Sequence, residues 1–127
     1  MSNDYSINYW EDNAILYAEH LISEFTQDDW ALLEKNWKER TTQWRQYCAQ
    51  IISWCASANA IPILIQMLNS QEDDLVVIAA DSLRIYDPSL VKSKIKSSSI
   101  EYLNQLRNRS SVVSSLIISD FLKSLSI

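Results

Sequence analysis

Apolar residues recur at helical spacing along nearly the whole chain, and nowhere does the two-residue alternation of a strand persist. Ile15, Ala18, Leu21, Ile22 and Phe25 form a first stripe. Thr26 has the side chain of a helix cap, and Asp28 and Asp29 suit the first turn of the helix it would open, which carries Trp30, Leu33 and Trp37. Thr41 or Thr42 starts a third helix with Trp44, Cys48, Ile51, Ile52 and Cys55 on one face. The break near Arg40 is weakly signalled, and one long kinked helix is the alternative. Asn59 opens a fourth helix with Ile61, Leu64, Ile65 and Leu68. Ser70 caps a fifth, whose buried stripe is Leu75, Val76, Ala79, Ala80 and Leu83. Asp87 followed by Pro88 is a strong start signal, because proline suits the first helical position. The stretch 88–107 is one helix or two, since Ser97, Ser98 and Ser99 interrupt it. A last helix from about Ser111 carries Val113, Leu116, Ile117, Phe121 and Leu125.

The pattern repeats. Shifted by 31 residues, Leu33 falls on Leu64, Trp37 on Leu68, Trp44 on Leu75, Cys48 on Ala79 and Ile52 on Leu83. A further shift of 38 brings Leu68 onto Leu106, Leu75 onto Val113, Ala79 onto Ile117 and Leu83 onto Phe121. Each unit is a helix, a short polar turn and a second helix. One helix pair cannot bury its apolar face alone, so stacked antiparallel pairs are the expected solution. The expectation is an all-α single domain of six to eight helices spanning 1–127. It comprises an acidic N-terminal helix over 1–26 and helix-pair units over 27–57, 59–86 and 88–127.

Composition agrees with this and excludes much chemistry. Glycine is absent from the 127 residues, where average usage of roughly 7% would supply about nine. A Gly-rich phosphate loop, a dinucleotide fingerprint, an Asn-Gly hairpin and a nucleophile elbow are therefore all missing. The longest fully apolar run, Leu75 to Ala80, has six residues, far below the ~20 needed to cross a bilayer. Residues 1–15 lack the basic start and apolar stretch of a signal peptide. Cys48 and Cys55 lie seven apart on a predicted helix, hence about 10 Å apart and beyond disulfide reach. Reduced thiols in a cytoplasmic protein follow.

Charge is segregated. Residues 1–34 hold eight acids (Asp4, Glu11, Asp12, Glu19, Glu24, Asp28, Asp29, Glu34) and no Lys or Arg, while 35–127 hold the other eight acids and all eleven bases. A net charge of −5 and a pI near 4.7 do not suit nucleic-acid binding, which draws its affinity from Lys and Arg. Lys92, Lys94 and Lys96 alternate and so do not share a helix face. An acidic face suits a basic protein partner.

The segment Ile61 to Arg84, IPILIQMLNSQEDDLVVIAADSLR, resembles a HEAT-type repeat: Pro62 in the first helix, the Leu64 and Leu68 pair, the acidic turn Glu72, Asp73 and Asp74, then Val76, Ala79, Ala80 and Leu83. It departs from that pattern in having Val77 where an Arg usually follows the Val, and in lacking the Gly usual after the second helix. The resemblance covers roughly 28–126 and implies a short helical solenoid or α-α bundle that binds proteins. The run WALLEKNWKERTTQWRQYCAQIISW, followed by IPILIQMLNS and AADSLR in a small acidic helical chain, also looks like the immunity proteins of contact-dependent growth inhibition and related polymorphic toxins. That resemblance implies a cytoplasmic stoichiometric inhibitor of one toxin domain, often a basic nuclease; no shared motif fixes its binding residues.

Catalysis has little to stand on. His20 is the single histidine, and one His with two Cys forms no zinc site. Asp28–Asp29 and Asp73–Asp74 read as helix-start acids, since no loop supplies the further oxygens a hard cation needs. No cofactor is implied. Trp10, Trp30, Trp37, Trp44 and Trp54 crowd the first 54 residues, and the seven-residue spacing of Trp30, Trp37 and Trp44 fits core packing. Tryptophan is also enriched in binding hot spots, and Trp30, beside two acids at a helix start, is the aromatic anchor candidate. The expected partner-binding residues are Asp28, Asp29, Trp30 and Glu34, with the turn Glu72, Asp73 and Asp74 lying beside them, because corresponding turns of stacked repeats share an edge. The expected function is a non-enzymatic immunity protein that neutralises a basic toxin domain, without nucleic acid or membrane as partner. The alternative is a HEAT-like scaffold or adaptor.

Overall fold

Short polar side chains start these helices by bonding the free backbone N–H groups of the first turn. The computed structural model describes His20, residues 22–54 and residues 56–125. Ile15, Ala18, Leu21, Trp10, Cys55 and the acids Asp4, Glu11, Asp12 and Glu19 lie outside the described residues. Helix α1 (Gln27–Asn36) begins in a reciprocal capping box between Thr26 and Asp29. Thr41 caps α2 (Thr42–Ile51) at the N–H of Trp44. Asp87 caps the short α5 (Pro88–Lys92), and Ser111 caps α7 (Val112–Ser124). Between them run α3 (Ala60–Leu68), α4 (Asp73–Leu83) and α6 (Ser97–Arg109). Among the described residues there are seven α-helices and no strand.

Four starts and breaks differ from expectation or resolve it. Asn59 holds the cap position of α3 without a capping bond. Ser70 accepts the N–H of Glu72, one residue ahead of α4, so Glu72 holds the cap position and leaves its carboxylate free to bond elsewhere. The 3₁₀ turn Trp37–Glu39 and an extended Arg40 separate α1 from α2, giving two helices in place of one kinked helix. The 88–107 stretch is two helices, and the Ser97–Ser99 run begins the second of them.

The core centres on α3 and α4. Helix α3 is buried almost all round through Ala60, Ile61, Ile63, Leu64, Met67 and Leu68. It pairs with α4, which also packs against α2 and α7. Ala49, Ala79 and Ala80 are completely buried, and their small side chains let the helix backbones approach. The buried Ser82 hydroxyl donates to the Ala49 carbonyl at 2.7 Å across that contact. Helix α1 lies on α3, and α6 packs on α7.

Five side-chain hydrogen bonds that join neighbouring helix pairs have similar sequence spans. Trp37 donates to Gln66, Arg45 to Glu72, Ser82 to Ala49, Tyr86 to Ser57 and Tyr102 to Gln71, all spanning 27 to 33 residues. The 31-residue repeat seen in sequence is thus the spacing between neighbouring layers.

The third unit departs from regular stacking. Helix α6 lies across the α3–α4 turn: Ser99 bonds Asn69, Tyr102 bonds Gln71 and Asp73, and Arg109 bonds Asp73. Helix α7 keeps part of its expected face: Phe121 and Leu125 are buried as expected, together with Ile118 and Leu122, whereas Val113 and Leu116 of the expected stripe face solvent. The Ser115 hydroxyl of α7 donates to the Arg107 carbonyl of α6 at 2.7 Å.

A chain without glycine must fill left-handed positions with other residues. Ala56 (φ 51°) and Gln71 (φ 64°) do so. Each carries a Cβ penalty of roughly 1–2 kcal/mol, against which the greater unfolded-state freedom of glycine weighs about 0.4–1 kcal/mol. Ala56→Gly and Gln71→Gly are therefore each expected to raise stability by up to about 1 kcal/mol, read as an increased urea midpoint at unchanged slope.

Candidate functional site

The acids singled out in the sequence fall into two groups that the fold keeps apart. Asp28 and Asp29 stand exposed in the first turn of α1, where the free N–H groups favour negative charge. The Asp29 carboxylate accepts the Thr26 N–H at 2.9 Å. Glu34 lies six residues beyond Asp28, about 9 Å along the helix axis. There it accepts from the Gln66 amide at 2.6 Å, and the Gln66 carbonyl oxygen accepts from the Trp37 indole at 2.9 Å. Glu34 and Trp37 thus meet the C-terminal end of α3, next to the α3–α4 turn, and Asp28 and Asp29 sit at the other end of α1. The expected single acidic edge joining Asp28, Asp29 and Glu72–Asp74 does not form: the first pair opens the first helix of its unit, the second group opens the second helix of the next.

At the turn, two of the three carboxylates are engaged by arginines from neighbouring layers. Glu72 accepts from Arg45 of α2 at 2.7 Å. The same guanidinium donates to the Lys38 carbonyl at 3.1 Å and closes the turn after α1. Asp73 accepts from Arg109 of α6 at 3.0 Å and from the Tyr102 hydroxyl, over whose ring the Arg109 guanidinium stacks at 5.5 Å. The Tyr102 hydrogen bond, with the bond and charge of Arg109, holds the Asp73 carboxyl below its ordinary 3.8. Asp74 stays exposed and lines a shallow cleft of about 330 Å³ together with Asp73, Val77, Leu106, Arg109 and Ser114. Carboxylate and guanidinium neutralise each other in that cleft. Among the described residues no group of His, Cys, Asp and Glu could hold a metal ion.

The aromatic anchor also needs correction. Trp30 is 5% exposed, and its ring meets the edge of Phe25 with centroids 5.1 Å apart. Its indole packs inward because α1 turns Trp30, Leu33 and Trp37 towards the core. The exposed large apolar side chain of that helix is Leu32, 61% exposed and one helical turn beyond Asp28. Among the described tryptophans, Trp54 is the one exposed to solvent, just past the C-terminal end of α2. Leu32 falls off the Trp30–Leu33–Trp37 stripe, and that offset is the sequence signal that marks it as outward-facing.

The remaining reactive groups are quiet. His20 pairs with the exposed Glu24 at 3.4 Å one turn away. Burial pushes the Cys48 thiol up to about 12, which keeps it protonated and unreactive in the folded chain. No described helix is long and apolar enough to cross a membrane. Comparison with protein families, curated proteins and solved structures finds no match to this chain.

The Asp73 cluster makes a pH prediction. A carboxyl held below its unfolded value contributes stability above that value and loses it as pH falls through the folded one. Asp73→Asn is expected to lower the urea midpoint at neutral pH. The gap from the parent chain should close as pH falls below 3.8. A gap that stays constant down to pH ~2 would show that Asp73 acts through packing alone.

Proposed function

We propose that this protein is a non-enzymatic immunity protein of a bacterial cytoplasm, binding one basic toxin domain as a stoichiometric inhibitor. The observation that carries this reading is the segregated charge: eight acids without a base in residues 1–34, ending on a helix that turns Asp28, Asp29 and Leu32 to solvent. Carboxylates around an exposed leucine fit a basic surface with an apolar centre. They speed encounter over long range and give the complex its register.

The turn acids support this less directly. Glu72 and Asp73 already have internal partners and are held as structural ion pairs, so the recognising charges lie on α1. The HEAT-like resemblance supports the same class of function, because layered helix pairs offer a broad rigid surface for another protein.

The test is to find a toxin gene beside the one encoding this chain and to co-express its toxic domain with the chain; a coding neighbourhood without one counts against the reading. The parent chain is expected to protect cells. Asp28→Lys with Asp29→Lys is expected to abolish protection and to slow association at low salt at least about tenfold. The fold should persist, losing roughly 0.3–1 kcal/mol for each helix-start acid, and about 0.5–2 kcal/mol more for the Asp29 side of the capping box. Glu72→Gln, at an internal pair, should leave the association rate unchanged. Protection retained by the Asp28/Asp29 variant but lost by Lys92 or Arg107 variants would place the partner on the basic half.

A further inference from the structure

The two edges of the helix stack differ in charge. At one edge the turns after α1 and α3 meet: Trp37 donates to Gln66, Gln66 donates to Glu34, and Arg45 joins the Lys38 carbonyl to Glu72. Helices α1 and α3 end at that edge, and α2 and α4 start there. The start of α1 and the ends of α2 and α4 therefore lie at the opposite edge. Helices α2 and α4 run side by side, with the Ser82 hydroxyl on the Ala49 carbonyl and the Tyr86 hydroxyl on the Ser57 carbonyl. Between these two bonds Trp54 and Ile85 come level with each other, and they are 40% and 57% exposed.

This second edge is uncharged at its centre. No Asp, Glu, Lys or Arg occurs from Gln46 to Gln71. Burial accounts for that in α3 and on the inner face of α2. It does not account for the connection between them, where Trp54, Ala56 and Ala58 are exposed. Absence of charge around a large aromatic is the composition of an interface centre, and tryptophan is among the side chains that most often carry binding energy there. The charges on either side indicate the occupant. On one side α1 opens with Asp28 and Asp29, and no base precedes Lys35. On the other side α4 runs into α5, which ends on Lys92, with Lys94 just beyond. Arg84 is already paired with Asp81 and Asp120, and Asp87 is held as the cap of α5.

We propose that Trp54 and Ile85 form the apolar centre of the toxin-binding surface, with Asp28 and Asp29 at its acidic margin. The basic toxin domain lays an apolar patch over these two side chains and turns its bases towards α1, away from Lys92 and Lys94. This rests on the inhibitor reading above and adds to it the place where the complex holds its affinity. The aspartates set how fast the partners meet, and the apolar pair sets how long they stay together.

Association and dissociation rates of the full chain with the toxic domain of a neighbouring toxin gene test this. Trp54→Ala is expected to speed dissociation at least about thirtyfold, and Ile85→Ser at least about fivefold. Association should stay within about twofold of the parent, because neither substitution changes charge. Asp28→Lys with Asp29→Lys should instead slow association. Leu116→Ser removes an equally exposed apolar side chain from α7 of the third unit and should leave both rates unchanged. Circular dichroism and the urea midpoint report whether each variant is folded. Ile85 is the more exposed of the pair, and Trp54→Phe, which keeps a ring, should fall between the parent and Trp54→Ala. Parent-like dissociation in Trp54→Ala and Ile85→Ser, with association still slowed in the aspartate variant, would overturn this inference and leave the inhibitor reading standing. Dissociation speeded as much by Leu116→Ser as by Ile85→Ser would overturn it too. A parent chain that binds no such domain would overturn both.

Discussion

Burial of α4 on three sides is the constraint from which the rest of the molecule follows. Its partner α3 covers one side, and α2 and α7 take the others. Such crowding requires small side chains, and Ala79 and Ala80 provide them with Ala49 opposite on α2. Each flanking unit contributes apolar surface at about 25 cal/mol per Å² removed from water, and no unit has enough surface to stand alone. The polar atoms drawn into this contact are paired, as Ser82 is to Ala49.

The start of α4 shows how charge is used in the same frame. Glu72 and Asp73 are consecutive, yet they reach in opposite directions, one to Arg45 in the layer before and the other to Arg109 in the layer after. Carboxylates at a helix start are already favoured by the free N–H groups there. Here they also fix how the flanking units are set against the middle one. The consequence for recognition is direct: acids with internal partners offer less to a second protein than those on α1, whose neighbours along the chain include no base before Lys35.

Much of the fold was legible because the signals were local. Thr26, Thr41, Asp87 and Ser111 announced their helices through capping chemistry that depends on the next few residues only. The Leu64–Leu68 and Ala79–Ala80 patterns marked the central pair for the same reason. What escaped depended on contacts between layers. Helix α7 has two apolar faces in its sequence, and packing against α4 and α6 selects the one bearing Ile118 and Leu122. Helix α6 crosses the turn because Tyr102 and Arg109 meet Asp73, residues 29 and 36 positions away, which no window of local periodicity contains. Trp30 is the anchor candidate because it stands beside two aspartates, but it follows Asp28 by about 200° around the helix, on the stripe with Leu33, and that phase sends it to Phe25.

The short interval between bonded layers has a kinetic meaning. Each interlayer bond named above closes a loop of about thirty residues or a few more, and none joins the two ends of the chain. Loop closure of that size carries a modest entropic barrier, and chains dominated by such near-neighbour contacts cross it quickly. Order can therefore spread outward from the α3–α4 pair one layer at a time. By the same token, loosening of an outer layer need not unravel the centre, so the terminal helices can open and close while the middle pair stays folded.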